Sequence, residues 1–149
     1  MAAVGTSDDV LAIQQVLTRY TRAVDTGRWA LLDDVFLPDA TIDYTSPGGI
    51  SGSYPEVRAW LAEVLPAFFP RRMHLLGQVD VDFTAPDAAS VVAYFHNPMV
   101  TPAADGAAGA GALVEFGGLY HHLLSRTASG WRSRELVVEL VWSRGPTQE

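Results

Sequence analysis

The chain has 149 residues, the size of one globular domain, and its 17 Asp plus Glu against 10 Lys plus Arg give a net charge of −7. With 48% hydrophobic residues and only 18% charged ones, the chain is too apolar for a disordered protein. The acidic balance argues against a nucleic-acid partner. The chain contains no Cys, which excludes disulfides, thiolate metal sites and a Cys nucleophile.

No run of about 18 apolar residues is present, so the sequence predicts no membrane partner. The first ten residues lack the basic segment and apolar core of a secretion signal. We therefore expect a cytoplasmic protein with one domain over residues 1–149 and an ordered core at about 8–143. Its apolar surplus suits a ligand cavity or an oligomer interface.

Three helices are predicted in the first half of the chain. Apolar residues spaced three and four apart predict the first helix from Asp9 to Asp25, ending before Gly27. A short second helix is predicted over Arg28–Phe36. The third covers Glu56 to about Phe68, after Pro55, which suits the first turn of a helix.

The second half of the chain changes to the alternating pattern of strands. A short strand is predicted at Ala40–Tyr44. Four longer strands are predicted after the third helix, at Met73–Phe83, Ala88–Val100, Leu113–Ser125 and Trp131–Trp142. Residues 101–112, rich in Ala and Gly, are expected to form a flexible loop, and residues 144–149 a disordered tail. Helices packed on one face of a mostly antiparallel sheet give an α+β fold.

Several kinds of site are disfavoured by the motifs. The sequence has no Gly-x-Ser-x-Gly motif for a nucleophile, and the glycine-rich run at 106–111 has no Lys for a phosphate. The adjacent His121 and His122 point to opposite faces of a strand and cannot chelate together. We therefore predict neither a metal site nor a cofactor.

Acid–base chemistry fits the remaining residues better. Asp25 lies in the last turn of a helix, where a carboxylate opposes the helix dipole, and such locally unfavourable positions are often functional. The alternative is a surface Asp paired with Arg22 or Arg28. His74, in an apolar setting, suits a base, although it could be a core histidine satisfied by a backbone carbonyl.

Two tyrosines complete this candidate set. Tyr20 and Tyr44 could each donate a hydroxyl to a substrate oxygen, or they could be ordinary aromatic core residues. These alternatives stay open on residue type and spacing alone.

Four features together resemble the SnoaL-like branch of the nuclear transport factor 2-like superfamily. They are the stretch from Tyr20 to Asp25, the helix end FLPDA, the pair Asp43–Tyr44, and His74 opening a strand. The pattern is most similar to that of scytalone dehydratase and bile acid dehydratase. The resemblance implies that Asp25 orients His74 and that His74 moves a proton, with Tyr20 or Tyr44 polarising the substrate. A related dehydrochlorinase has a pocket Lys where this chain has Tyr20, so dehydrochlorination is disfavoured.

The resemblance also implies a cone: a curved, mixed or antiparallel sheet wrapped around three N-terminal helices, with an apolar pocket inside. Strand and helix periodicity then predicts which side chains line that pocket. The predicted substrate-binding residues are Trp60, Leu61, Leu65, Phe68, Phe95, Asn97, Met99, Phe116, Tyr120, Leu136, Val138 and Trp142.

These observations predict a cofactor-independent dehydratase acting on an apolar, oxygenated small molecule such as a polyketide, terpenoid or steroid-like compound. One alternative is a cyclase or double-bond isomerase with the same dyad, and another is a non-catalytic small-molecule-binding domain. A homodimer or higher homo-oligomer is expected, because the sheet has a second face to cover. The residues predicted for that interface are Val91, Ala93, Tyr94, Leu119 and Val137.

Overall fold

The computed structural model describes residues 5–103 and 111–146. Its elements, in chain order, are α1 (Ser7–Thr26), a 3₁₀ helix (Trp29–Asp34), β1 (Phe36–Asp43), β2 (Ser51–Ser53), α2 (Tyr54–Phe68), β3 (Arg71–Arg72), β4 (Leu75–Ala85), β5 (Ala88–Val100), β6 (Leu113–Thr127) and β7 (Gly130–Arg144). This is the predicted α+β class. Among the described residues, no helix combines the length and apolarity needed to cross a bilayer.

Both α-helices begin at a capping box. In α1 the Thr6 hydroxyl accepts the Asp9 amide proton, and the Asp9 carboxylate accepts the Thr6 amide proton, both at 3.1 Å. Ser53 and Glu56 form the same reciprocal pair at the start of α2. These bonds satisfy amides that have no partner within the helix. Gly27 ends α1 in the left-handed conformation, with φ 70°.

The sheet has seven strands in the order β2-β1-β7-β6-β5-β3, and β4 pairs with the other end of β5. β1 runs parallel to β7, and the other pairs are antiparallel. The sheet curls around the helices as the predicted cone. The apolar face of α1 lies against its concave side, so the core forms between them.

Local structure differs from prediction where distant segments pair. The predicted second helix is shorter, because the amide of Ser133 in β7 donates to the Val35 carbonyl at 2.7 Å and Phe36 already begins β1. The short strand β2, which the sequence did not indicate, pairs with the end of β1. Neither pairing can be predicted from the hydrophobic pattern of the local sequence.

Interface and loop predictions have a mixed outcome. Val91 and Ala93 are buried on the inner face, so their assignment to an oligomer interface is wrong, while Tyr94 is exposed on the outer face. Of the predicted loop, residues 104–110 lie outside the described residues. The ends of that loop are joined, because the Thr101 amide donates to the Ala112 carbonyl at 2.9 Å.

Candidate active site

A cavity of about 680 Å³ opens between the helices and the concave face of the sheet. Ten of the twelve predicted substrate-binding residues line it: Trp60, Leu61, Leu65, Phe68, Phe95, Asn97, Met99, Phe116, Tyr120 and Val138. The predicted catalytic residues Tyr20, Tyr44 and His74 also reach it, whereas Asp25 lies behind His74. The wall is mainly aromatic and aliphatic with a few polar groups, which suits a small-molecule site.

The structure excludes two predicted lining residues. Leu136 is completely buried in the core and does not reach the cavity wall. Trp142 is 44% exposed and packs against His96 on the outer face, with ring centroids 5.5 Å apart. A bulge in β7 causes this reversal, since Gly118 pairs with Leu140 but Gly117 pairs with Trp142, leaving Val141 as an extra residue.

Several lining residues were missed in the sequence. They are Pro47, Gly48, Gly49, Val64, Phe69, Val114, Ser143, Arg144, Gly145 and Pro146. Val64 follows from the same helical period as Leu61, so the pattern contained its signal. The residues from Ser143 to Pro146 showed no sequence pattern that indicated a place in the cavity wall. The expectation of a disordered tail is wrong for Arg144, which ends β7, and residues 147–149 lie outside the described residues.

His74, which lines the cavity, and Asp25 form a direct pair. Nδ1 of His74 lies 2.7 Å from Oδ1 of Asp25. A carboxylate accepts only, so Nδ1 carries the proton in this bond. Nε2 is then the ring nitrogen left to act on a molecule in the cavity. His74 is 8% exposed, so the imidazole works in a setting largely shielded from bulk water.

A second contact fixes the same pair. The backbone amide of His74 donates to both carboxylate oxygens of Asp25, at 3.0 and 3.1 Å. This amide is therefore turned away from the sheet, at the break between β3 and β4. Among the described residues, the side-chain partner of Asp25 is His74 and not Arg22 or Arg28. The alternative of a surface Asp–Arg pair is wrong for this structure.

Two tyrosine hydroxyls meet beside the dyad. The hydroxyls of Tyr20 and Tyr44 are hydrogen-bonded to each other, and the Tyr20 ring packs edge-on against the His74 ring at 6.5 Å. One hydroxyl donates within the pair, which leaves the second proton free to bond a ligand oxygen. Tyr20 and Tyr44 are buried, yet both line the cavity, so the structure combines the core and pocket alternatives.

A third tyrosine extends this polar cluster. The Asn97 amide nitrogen donates to the Tyr120 hydroxyl at 2.9 Å, and the Tyr120 ring packs edge-on against Tyr20 at 5.4 Å. Burial raises the pKa of Tyr20, Tyr44 and Tyr120 above that of an ordinary phenol. All three hydroxyls therefore stay protonated at neutral pH and act as hydrogen-bond donors, not as bases.

A metal centre finds no support in the described ranges, since nowhere in them do three or more His, Asp or Glu side chains converge. The polar groups at the cavity include one imidazole, which a carboxylate holds, and three phenols, and Asn97, Ser143 and Arg144 are further polar residues in its lining. These groups can take up a proton, hold it and stabilise a developing negative charge on oxygen.

Comparison with known proteins identifies the family of the chain. The model of a SnoaL-like domain matches residues 5–137. The chain belongs to the SnoaL-like domain family. Among its relatives is the uncharacterized protein Rv2910c of Mycobacterium tuberculosis, which is 44% identical to this SnoaL-like chain over 133 residues, or 89% of this chain and 85% of the relative.

Solved structures share the fold of this SnoaL-like chain. A putative aromatic ring hydroxylase from Novosphingobium aromaticivorans superposes with a TM-score of 0.79 at 27% identity, covering 95% of this chain and 96% of the other. A putative scytalone dehydratase from the same organism gives 0.78 at 15% identity, covering 97% and 94%. At that identity the likeness shows the fold alone, which is the cone of the nuclear transport factor 2-like superfamily.

Proposed function

We propose that this protein is a cofactor-independent lyase that dehydrates an apolar, oxygenated small molecule. The observation that carries the proposal is the bond between Asp25 and Nδ1 of His74 at the wall of an apolar cavity. A binding module has no need of a carboxylate-held imidazole. The aromatic lining of the cavity, which includes Trp60, Phe95 and Phe116, supports an apolar substrate such as a polyketide, terpenoid or steroid-like compound.

In the proposed reaction, Nε2 of His74 takes a proton from the carbon next to a substrate carbonyl. The electrons of that C–H bond move into the carbonyl, and the free proton of the Tyr20–Tyr44 pair stabilises the resulting oxyanion. The enolate then expels the hydroxyl on the next carbon. That hydroxyl takes the proton from Nε2 and leaves as water, which returns His74 to its starting state. Asp25 stabilises the imidazolium in between.

Variants of the dyad test this proposal. We expect His74→Ala and Asp25→Asn to lower kcat by about 10²- to 10⁴-fold, the usual contribution of a general base. Asn at position 25 can donate to Nδ1, which would move the imidazole proton to Nε2 and block the base. His121→Ala is the matched control, because His121 is on the outer face and bonds Glu139.

The assay incubates each protein with a panel of β-hydroxy ketones on fused-ring and terpenoid frameworks and follows the products by mass spectrometry. Wild-type protein is expected to remove 18 Da, the mass of water, from at least one of them. A product of unchanged mass would replace dehydration with isomerisation or cyclisation by the same dyad. Full activity in both dyad variants, or binding without turnover across the panel, would overturn the proposed function.

We also propose that the protein pairs with a second copy of itself through the outer face of the sheet. Tyr94, Val137, Val141 and Trp142 are exposed large apolar side chains on the strands of that face. Proteins of this fold often form dimers, and an isologous pair would cover this patch on both copies at once.

A further inference from the structure

Arg72 joins the three segments that build the dyad. It lies in β3, two residues before His74. Its Nε donates to the carbonyl of Val24, the neighbour of Asp25, at 2.7 Å. Its Nη1 donates to the carbonyl of Phe69, just after α2, at 3.1 Å. One guanidinium therefore ties the ends of both α-helices to the strand that leads into the site.

These bonds join the two chain segments that carry the dyad. The segment of Val24 and Asp25 is linked to the segment of Arg72 to His74 at three points: by the guanidinium, by the His74 amide and by the His74 ring. The guanidinium is the link that does not pass through the Asp25 carboxylate, so it fixes the rotation of the segments as well as their separation. Catalysis depends on such placement, since a shift of about 1 Å at the reacting atoms can cost 10²-fold in rate.

Arg72 also supplies the charge that this helix end lacks. Asp25 stands at the negative end of the α1 dipole, and the last turn of α1 contains no basic residue. The Arg72 guanidinium stands there instead, with the Trp29 ring 5.9 Å from it. Burial lowers the pKa of Arg72, while the charge of Asp25 acts in the opposite direction. A guanidinium stays charged in such a setting, because it is not deprotonated in proteins.

From this geometry we infer that Arg72 is a positioning residue, which holds Asp25 against His74 by bridging two backbone carbonyls. The inference rests on the proposed function for its catalytic consequence, but its structural part can be tested without any substrate. Lys at this position would keep the charge but could not form the same fork of two donors. The bridge and the charge can therefore be separated by substitution.

The test compares Arg72→Met and Arg72→Lys with Arg71→Met, an exposed arginine on the same strand. Hydrogen exchange is measured by NMR at the His74 amide, which bonds Asp25, and at the buried reference Val91. We expect exchange at the His74 amide to rise at least tenfold in both Arg72 variants, with Val91 unchanged. Arg71→Met should leave both amides as in the wild type.

Kinetics supply the second measurement. We expect kcat to fall about tenfold in Arg72→Met, with KM changed less than twofold, because Arg72 orients the base and does not itself line the cavity. Wild-type exchange at the His74 amide in Arg72→Met would overturn the inference, as would full recovery of exchange and kcat by Lys. If the His74 amide responds as expected while His74→Ala and Asp25→Asn both retain full turnover, the positioning role stands and the proposed function fails.

Discussion

At the scale of single residues, the protein contains two buried imidazoles whose surroundings differ. His74 bonds a carboxylate and lines the cavity. His122 has no carboxylate. Its Nδ1 lies 2.8 Å from the Ser133 hydroxyl, which itself donates to the Glu135 carbonyl, so Nδ1–H is the donor to Ser133. Burial lowers the pKa of His122 to about 3. One histidine is therefore placed to exchange protons and the other to remain neutral.

The low pKa of His122 predicts an acid-sensitive fold. Between its folded pKa of about 3 and the unfolded value near 6.5, the unfolded chain binds a proton that the folded chain does not. Stability is therefore lost as the pH falls through this window. We expect His122 to account for about 2 kcal/mol of lost unfolding free energy between pH 7 and pH 5.

Urea unfolding at both pH values measures this loss. His122→Gln should reduce the difference between the two pH values by about that amount, whereas the outer-face control His96→Gln, which removes a histidine bonded to Glu115, should not. An unchanged pH dependence in His122→Gln would mean that folding does not change the pKa of His122, which would contradict the lowered value.

Some of the residues of the site could be predicted from the sequence and others could not. Asp25 and His74 were identifiable because each is locally unfavourable, a carboxylate at the wrong end of a helix and a polar ring among apolar neighbours. Arg72 was not, since an arginine on a short strand carries no local sign that it will reach two carbonyls, one of them 48 positions away.

At the scale of elements, two adjacent glycines of β6 let the sheet fold tightly around the cavity. A Cβ on Gly118 would lie 2.1 Å from the Glu139 carbonyl oxygen and 2.8 Å from the Phe95 ring. A Cβ on Gly117 would instead lie 2.0 Å from the indole of Trp142. The first position is blocked by backbone and a packed ring, the second by a side chain that is partly exposed and can move.

Gly118→Ala is therefore expected to lower the unfolding free energy by about 1–3 kcal/mol, the usual cost of overpacking a core. Gly117→Ala, the matched variant one position earlier, should cost less, since Trp142 can swing outward. Chemical denaturation of the two variants checks the order. Equal losses, or a larger loss for Gly117→Ala, would contradict this description of the bulge.

The same bulge limits prediction at this scale. Strict alternation places Phe95, Asn97, Met99 and Val138 on the inner face, and these residues do line the cavity. Alternation also placed Trp142 inside, and the one extra residue in β7 reverses it. A bulge depends on the partner strand as well as on its own sequence, so local periodicity does not reveal it.

At the scale of the whole molecule, many apolar side chains outside the core lie in two places. One is the cavity of about 680 Å³. The other is the outer face of the sheet, where Tyr94 is 53% exposed and two histidines are hydrogen-bonded to carboxylates, His121 to Glu139 and His96 to Glu115. The family and the fold followed from the order of motifs along nearly the whole chain. The side chains that are exposed on the outer face, by contrast, could be assigned only once the register of the strands was known.

The proposed dimer makes a whole-molecule prediction. Light scattering after gel filtration should give twice the chain mass of 16.1 kDa for the wild-type protein. Tyr94→Glu should produce a monomer, because a carboxylate would be buried without a partner at the interface. Leu11→Glu, an equal change of charge at an exposed apolar residue of α1, should remain a dimer. A wild-type monomer would contradict the proposed use of the outer face.

The position of a bound substrate relative to His74 tests the proposed proton transfer most directly. The measurement is a crystal structure of the wild-type protein with a ketone that lacks the leaving hydroxyl of a turned-over substrate. We predict that the carbon to be deprotonated lies about 3.5 Å from Nε2 of His74. The carbonyl oxygen should lie within about 3 Å of the Tyr20 or Tyr44 hydroxyl. A ketone bound outside the cavity, or with both atoms turned away from His74, would contradict the proposed chemistry.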